Sequence, residues 1–93
     1  MAPETGYTRK EIDGTLENIL VEDFECNVDS ITNSASLKDD LMLNSRQIVE
    51  LVMKIEETFE IEISDEDADK MNTFWDITEY LCRQLRSEGR LKE

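Results

Sequence analysis

The chain has 93 residues, with 23 Asp and Glu against 10 Lys and Arg, a formal net charge of -13 and no histidine. A chain of this size forms one domain, and its acidity argues against nucleic acid as a partner, because phosphate groups are bound by Lys and Arg. Without histidine the Ser-His-Asp and Cys-His catalytic arrangements are impossible, so we expect a protein that is not an enzyme.

The cysteine count and the hydropathy pattern indicate a cytoplasmic location. Two cysteines, Cys26 and Cys82, are too few for a disulfide framework and lack the spacing of metal ligands. Two free, unreactive thiols are typical of a protein in the reducing cytosol. The first residues lack a basic stretch followed by an apolar one, which argues against a secretory signal. No apolar run is longer than three residues, so we expect no membrane insertion. We predict a monomeric cytoplasmic protein.

The first predicted helix runs from about Thr8 to Phe24. Thr8, followed three residues later by Glu11, matches a capping box, in which the two residues satisfy each other's backbone donors. Gly14 inside this helix costs about 1 kcal/mol relative to alanine. The apolar residues recur at helical spacing between acids, and they are Ile12, Leu16, Ile19, Leu20 and Phe24.

A long polar connection, residues 25–43, follows the first helix. Nearly twenty residues without a regular element is long for a compact domain, so the connection has to be held by its own apolar residues. The residues suited to this are Ile31, Leu37, Leu41 and Leu43. A second helix then runs from about Ser45 to Phe59, with Asn44 and Gln47 as the cap of its start. Its core-facing residues are Ile48, Leu51, Val52, Ile55 and Phe59.

An extended link, a short helix and a last long helix complete the predicted fold. Ile61 and Ile63 alternate with acids in an extended link, and a short helix begins after Ser64. Thr73 caps a last helix that ends near Gly89. The core-facing residues of the last helix are Phe74, Ile77, Leu81 and Leu85. We predict an all-α bundle of three main helices and one short helix, with a domain at 8–88 and tails at 1–7 and 89–93.

Ser45 is the residue most suited to carry chemistry. It lies where a polar loop meets a helix start, so its hydroxyl is expected to be exposed beside unpaired amides and the positive end of the helix dipole. That setting favours a covalently attached phosphate. The alternative is a capping serine without chemistry, which is the commoner role of serine at a helix start. Composition and spacing alone favour the capping role.

The sequence around Ser45 resembles the acyl carrier protein family. Residues 33–53 read NSASLKDDLMLNSRQIVELVM, and the likeness continues through residues 55–61, 63–68 and 77–81. It covers about residues 8–86 and implies an acyl-carrier-protein-like four-helix bundle. It also implies that Ser45 receives 4'-phosphopantetheine from coenzyme A through a magnesium-dependent phosphopantetheinyl transferase, and that acyl groups are carried as thioesters on this arm. The first, second and last helices are then expected to enclose an apolar interior that shelters the acyl chain.

A second face of the Ser45 helix is predicted beside the core-facing one. Its members share helical spacing and combine apolar with charged side chains, and they are Arg46, Val49, Glu50, Met53 and Glu57. Flexible methionine with rim carboxylates suits docking onto basic surfaces of the transferase and of acyl-handling enzymes. The alternative is that Val49 and Met53 widen the core.

The segment departs from the family where the arm attaches. Family members usually have Asp-Ser-Leu there, often after Gly and another small residue, whereas this chain has Asn44-Ser45-Arg46 after Met42 and Leu43. Relative to the family, the residues next to Ser45 have become neutral or basic. This difference favours a carrier for a specialised fatty-acid, lipid or polyketide pathway. The alternatives are an aminoacyl or peptidyl carrier, and an unmodified acidic interaction module that binds divalent cations. Asp65 begins a sequence similar to a calcium loop, but Lys70 occupies the glycine position, so we expect no EF-hand.

Overall fold

The computed structural model describes residues 7–91, and four α-helices account for most of this range. They are α1 (Arg9–Phe24), α2 (Ser45–Phe59), α3 (Asp65–Asp69) and α4 (Phe74–Ser87). None of these helices is long and apolar enough to cross a membrane. The predicted all-α bundle, with three main helices, one short helix and a long first loop, is confirmed.

The helices begin at the side-chain caps that the sequence predicts. The Thr8 hydroxyl accepts the N–H of Glu11 at 3.1 Å, and the Glu11 carboxylate accepts the N–H of Thr8 at 2.9 Å. Thr73 caps α4 in the same way, and Ser64 caps α3. Such caps satisfy backbone donors that have no partner within the helix, so local chemistry alone fixes these starts.

The core lies between the three long helices, with α1 in contact with both α2 and α4. Each long helix packs the apolar face that its spacing predicts against the core, but Phe24, Ile48 and Val52 are only partly buried. Gly14 is exposed on α1 and has no atom within 4 Å of the place where a Cβ would lie, so it faces solvent and leaves the packing intact. Apolar side chains without measurable exposure are Ile12, Leu16, Leu20, Leu51, Ile55, Phe59, Leu81 and Leu85.

The loop between α1 and α2 is held by buried side chains and by backbone bonds to α4. All four predicted anchors are buried: Ile31, Leu37, Leu41 and Leu43. The loop also contains a 3-10 turn, Val28–Ser30, started by the Asn27 side chain, which the sequence analysis did not predict. Backbone bonds join Leu37 N–H to Asn72 O at 2.9 Å and Phe74 N–H to Ala35 O at 3.1 Å. These bonds fix the loop to the start of α4.

The two ends of the described chain meet beside the C-terminal end of α2. Tyr7 and Leu91 form a parallel bridge, and the N–H of Tyr7 donates to the carbonyl of Arg90 at 2.6 Å. The Arg90 guanidinium donates to the carbonyls of Phe59 and Glu60. Residues on both sides of the predicted 8–88 boundaries therefore contact the bundle, and the boundaries themselves stay a prediction. The outermost tail residues, 1–6 and 92–93, lie outside the described part.

Asp13 on α1 makes the free energy of unfolding depend on pH. Burial raises the pKa of its carboxyl, more than the nearby Arg9 lowers it, and the buried Oδ1 atom has no hydrogen-bond partner among residues 7–91. A pKa raised by folding means that the folded state binds the proton more tightly, so the ionised carboxylate destabilises the fold above about pH 4.

We expect Asp13→Asn to raise the free energy of unfolding at pH 7, because the amide carries no charge to desolvate. The gain should shrink as the pH falls through the raised pKa of the native carboxyl towards the ordinary aspartate value of about 4. Urea unfolding at several pH values measures this difference. The control Glu22→Gln alters an exposed carboxyl on the same helix and should change stability little. A gain that is equal at pH 3 and pH 7 would contradict the charge explanation.

Candidate functional site

Ser45 is the first residue of α2, and its neighbours supply the helix cap. The Asn44 side chain accepts the N–H of Gln47 at 2.8 Å, and the Gln47 side chain accepts the N–H of Asn44 at 3.0 Å. Within residues 7–91 no hydrogen bond uses the Ser45 hydroxyl, and the residue is exposed. The predicted cap is confirmed, and because Asn44 makes it, capping does not occupy the serine.

In the segment before Ser45, buried and exposed side chains alternate, and the buried ones anchor it to the core. Leu41 and Leu43 are buried and Met42 between them is 78% exposed. The Leu43 N–H donates to the Leu37 carbonyl at 2.9 Å. Met42 has a φ of 61°, in the left-handed region that favours glycine. The backbone therefore retains the turn that a glycine would make, with a methionine in its place, and the exposed side chain lies close in sequence to Ser45.

Replacing Met42 with glycine is expected to raise the free energy of unfolding by about 0.5–1 kcal/mol. Relief of the left-handed strain, about 1–2 kcal/mol, exceeds the extra chain entropy that glycine loses on folding, about 0.5–1 kcal/mol. Little apolar burial is lost, since the side chain is mostly exposed. Chemical denaturation measures the change. Met42→Ala keeps the Cβ and should give no gain, and an equal gain from both variants would exclude strain as the cause.

A cavity of about 600 Å³ opens beside Ser45, between α2, α3 and the loop. Its apolar wall consists of Leu37, Ile48, Val49, Val52, Met53, Ile63, Ala68 and Met71. The family resemblance predicts a shelter for the acyl chain among α1, α2 and α4, whereas the cavity next to Ser45 lies on the α3 side of α2. The reason is that side chains from α1, α2 and α4 bury one another completely, while the short α3 leaves space against α2.

Glu56 was not singled out from the sequence, yet it lines this cavity. Its carboxylate accepts the N–H of Ile63 at 2.8 Å, and its backbone carbonyl accepts the N–H of Ile61 at 3.2 Å. These two bonds tie the link between α2 and α3 back onto α2. The side chain lies between the core-facing and outer faces of the helix, so apolar periodicity gives it no signal.

The second face predicted on α2 is exposed in the structure. Val49 and Met53 are 58% and 56% exposed, so neither is a core residue. The charged members Arg46, Glu50 and Glu57 are also exposed. Ser45, Val49 and Met53 all line the cavity, which places this face next to the serine.

The two cysteines and the acids that resemble a calcium loop do not form a second site. Cys26 and Cys82 are buried, and burial raises the pKa of both thiols, so neither is a reactive nucleophile at neutral pH. The acids that resemble a calcium loop form α3, a helix in place of the loop that an EF-hand needs. Among residues 7–91 no three His, Cys, Asp or Glu side chains are grouped to hold a metal ion. The site is therefore an exposed hydroxyl beside a largely apolar cavity.

Comparison with known proteins shows which family the chain resembles. The family model of the phosphopantetheine attachment site matches residues 14–81. The acyl carrier protein of Buchnera aphidicola subspecies Schizaphis graminum is 44% identical over 70 residues, 75% of this chain and 89% of that protein. The acyl carrier protein of Bdellovibrio bacteriovorus is 46% identical over 66 residues, 71% of this chain and 85% of that protein.

A solved structure agrees with these relatives. The acyl carrier protein of Enterococcus faecalis matches with a TM-score of 0.69 and 35% identity, over 81% of this chain and 95% of the other. Its fold and this bundle therefore correspond over nearly the whole of that protein. The family's cofactor is 4'-phosphopantetheine, and its members are carriers and not enzymes. The chain belongs to the acyl carrier protein family.

Proposed function

We propose that Ser45 carries the 4'-phosphopantetheine arm and that acyl intermediates are bound as thioesters to its terminal thiol. The observation that supports this most directly is the exposed Ser45 hydroxyl, without a hydrogen bond in the described part of the chain, beside a cavity of about 600 Å³. A capping serine would have its oxygen bonded to a backbone N–H, and here Asn44 performs that task.

The residues present fit the arm. Attachment needs only an accessible hydroxyl. The Ser45 oxygen forms a phosphodiester with the phosphorus that bears the pantetheine of coenzyme A, its proton is released, and adenosine 3',5'-bisphosphate leaves. A transferase with magnesium would supply the base and the metal, which agrees with a carrier that has no histidine. The largely apolar wall from Ile48 to Met71 then offers the arm and its cargo a place away from water.

The experiment that tests attachment is a mass measurement. The protein is incubated with coenzyme A, magnesium and a broad-specificity phosphopantetheinyl transferase, then weighed intact and after proteolysis. We expect the mass of one phosphopantetheinyl group, on the peptide that contains Ser45. No gain with several transferases would favour an unmodified acidic interaction module over a carrier.

We further propose that Arg46, Val49, Glu50, Met53 and Glu57 form the docking face for the transferase and for acyl-handling enzymes. Val49 and Met53 are large apolar side chains exposed to solvent beside carboxylates, which suits a partner with a basic rim and an apolar groove. The neutral and basic sequence at Asn44-Ser45-Arg46 supports a specialised fatty-acid, lipid or polyketide pathway. An aminoacyl or peptidyl carrier is the second candidate, and loading assays with acyl and aminoacyl donors separate the two.

Reversal of one charge tests the docking face. Glu50→Lys is expected to slow arm attachment about tenfold, because a carboxylate that attracts basic partner groups becomes a repelling ammonium. The rate of mass gain is the measurement, with thermal unfolding to show that the domain stays folded. Glu22→Lys makes the same reversal on α1 and should leave the rate nearly unchanged. Equal rates for all three proteins would contradict docking through α2.

A further inference from the structure

One charged side chain of the cavity beside Ser45 differs from the others in its burial. Within residues 7–91, five charged residues line this cavity. Four of them are exposed to solvent: Lys38, Asp39, Asp65 and Asp69. Glu56 is partly buried, and the neighbouring side chains along its wall are apolar. A carboxylate in such a place restricts what the cavity can bind, because burying a polar group without a hydrogen bond is unfavourable.

The cavity is a groove that follows α2. The side chains that α2 contributes recur at steps of three and one along a single face of the helix, and they are Ser45, Ile48, Val49, Val52, Met53 and Glu56. Glu56 is the last of them. Its distance from Ser45 along the helix is about 16 Å at the rise of an α-helix. The groove therefore begins at the serine and ends, on the α2 side, at this carboxylate.

The opposite wall runs in the reverse direction, from Ile63 through α3 to Asn72. At its first residue, the Ile63 N–H donates to the Glu56 carboxylate at 2.8 Å. At its last residue, the Asn72 carbonyl accepts the N–H of Leu37 at 2.9 Å. The Leu37 carbonyl in turn accepts the N–H of Leu43, just before the start of α2. The two walls therefore join at Glu56, at the end of the groove that is far from the serine.

We propose that Glu56 closes this groove and thereby sets the longest acyl chain that the carrier can shelter. The proposal rests on the proposed attachment of acyl groups to an arm on Ser45. The α2 wall is apolar from Ile48 to Met53, and the next residue of the same face is the hydrogen-bonded carboxylate. A longer chain would have to displace this carboxylate from the Ile63 N–H and leave that donor without a partner. The cargo is then an acyl chain that ends before Glu56.

The rate at which hydroxylamine cleaves the thioester measures how well a chain is sheltered. The transferase loads the protein from acyl-coenzyme A of increasing chain length, from acetyl to palmitoyl, and release of the free thiol is timed. Each methylene that enters the groove should slow the release by up to about fourfold. We expect this gain to stop at one chain length in the native protein, because a longer chain meets Glu56. A chain of that length, isotopically labelled at its terminal methyl group, should show NMR contacts to Met53 and Ile63.

Three variants test whether Glu56 sets the limit. Glu56→Ala removes the carboxylate and opens the end of the groove, so the gain of up to about fourfold per methylene should continue to longer chains. Glu56→Gln keeps the size and an oxygen that accepts the Ile63 N–H, so it should keep the native limit. Glu62→Ala removes an exposed carboxylate of the same link that does not line the cavity, and it should keep the native limit too. Circular dichroism shows whether each variant is folded.

An equal limit in the native protein and in Glu56→Ala would overturn the proposal and leave the carrier function intact. Loss of the limit in Glu56→Gln as well, or no NMR contact to Met53 and Ile63 at any chain length, would also overturn it. The NMR measurement uses the native protein, so it decides even where Glu56→Ala fails to fold.

Failure of the transferase to load the protein would count against Ser45 as the attachment site, and the groove can then be tested without the arm. The Ser45→Cys thiol is at an exposed position, whereas Cys26 and Cys82 are buried. Alkyl methanethiosulfonates therefore attach a chain of chosen length at position 45 as a mixed disulfide. The melting temperature should rise with chain length up to a limit, and Glu56→Ala should extend this limit. An unchanged limit would overturn the proposal here too.

Discussion

Substitution of Ser45 by alanine is expected to abolish arm attachment completely while leaving the fold unchanged. The hydroxyl oxygen is the atom that would form the phosphodiester, and alanine has no atom to replace it. The fold should tolerate the change because Asn44 and Gln47 make the cap and Ser45 is exposed. Alanine also has the highest helix propensity, so stability should change by less than about 0.5 kcal/mol.

Intact mass after incubation with the transferase measures the loss, and circular dichroism checks the helices. Ser34→Ala is the matched control, since Ser34 is an exposed serine of the loop before α2 and its side chain makes no hydrogen bond within residues 7–91. It should be loaded as fast as the native protein. A Ser45→Ala protein that still gains one phosphopantetheinyl group would show that another residue carries the arm.

Substitution of Phe59 by alanine is expected to lower the free energy of unfolding by about 3–5 kcal/mol. Phe59 is fully buried at the end of α2, and its ring lies 5.2 Å from the ring of Tyr7 in an edge-to-face arrangement. Truncation removes the transfer free energy of the ring and leaves a cavity that the rigid helices cannot close. Since small domains are stable by about 5–15 kcal/mol, this is a large fraction of the total.

Urea denaturation gives the free energy, and Met53→Ala serves as the control on the same helix. Met53 is large and apolar but 56% exposed, so its truncation should change stability by no more than about 0.5 kcal/mol. It should instead slow arm attachment, since Met53 lies on the proposed docking face. Equal destabilisation by the two substitutions would mean that the outer face of α2 is packed in solution.

The parts of the fold that depend on neighbours in sequence were predictable. Thr8, Asn44, Ser64 and Thr73 mark helix starts because a capping side chain bonds an amide only two or three residues away. The approximate bounds of α2, Ser45–Phe59, were predictable too, with Asn44 as the cap of its start and Phe59 as the last member of its apolar face. The exposed hydroxyl of Ser45 followed from its place between a polar loop and this helix.

The parts that depend on contacts between distant residues were not predictable. The loop is fixed by bonds such as Ala35 to Phe74, nearly forty residues apart, and no local pattern encodes such a pairing. The cavity against α3 depends on how closely a five-residue helix approaches α2, which spacing alone does not determine.

The bridge between Tyr7 and Leu91 determines where a fused domain or a solid support would lie relative to Ser45. Both ends of the described chain lie beside Phe59, at the C-terminal end of α2. Ser45 lies at the other end of that helix, about 21 Å away at the rise of an α-helix. A tag, a fused domain or a surface linkage joined directly at Tyr7 or Leu91 would therefore start from the end of the bundle opposite to Ser45, and immobilised molecules would present Ser45 to partner enzymes.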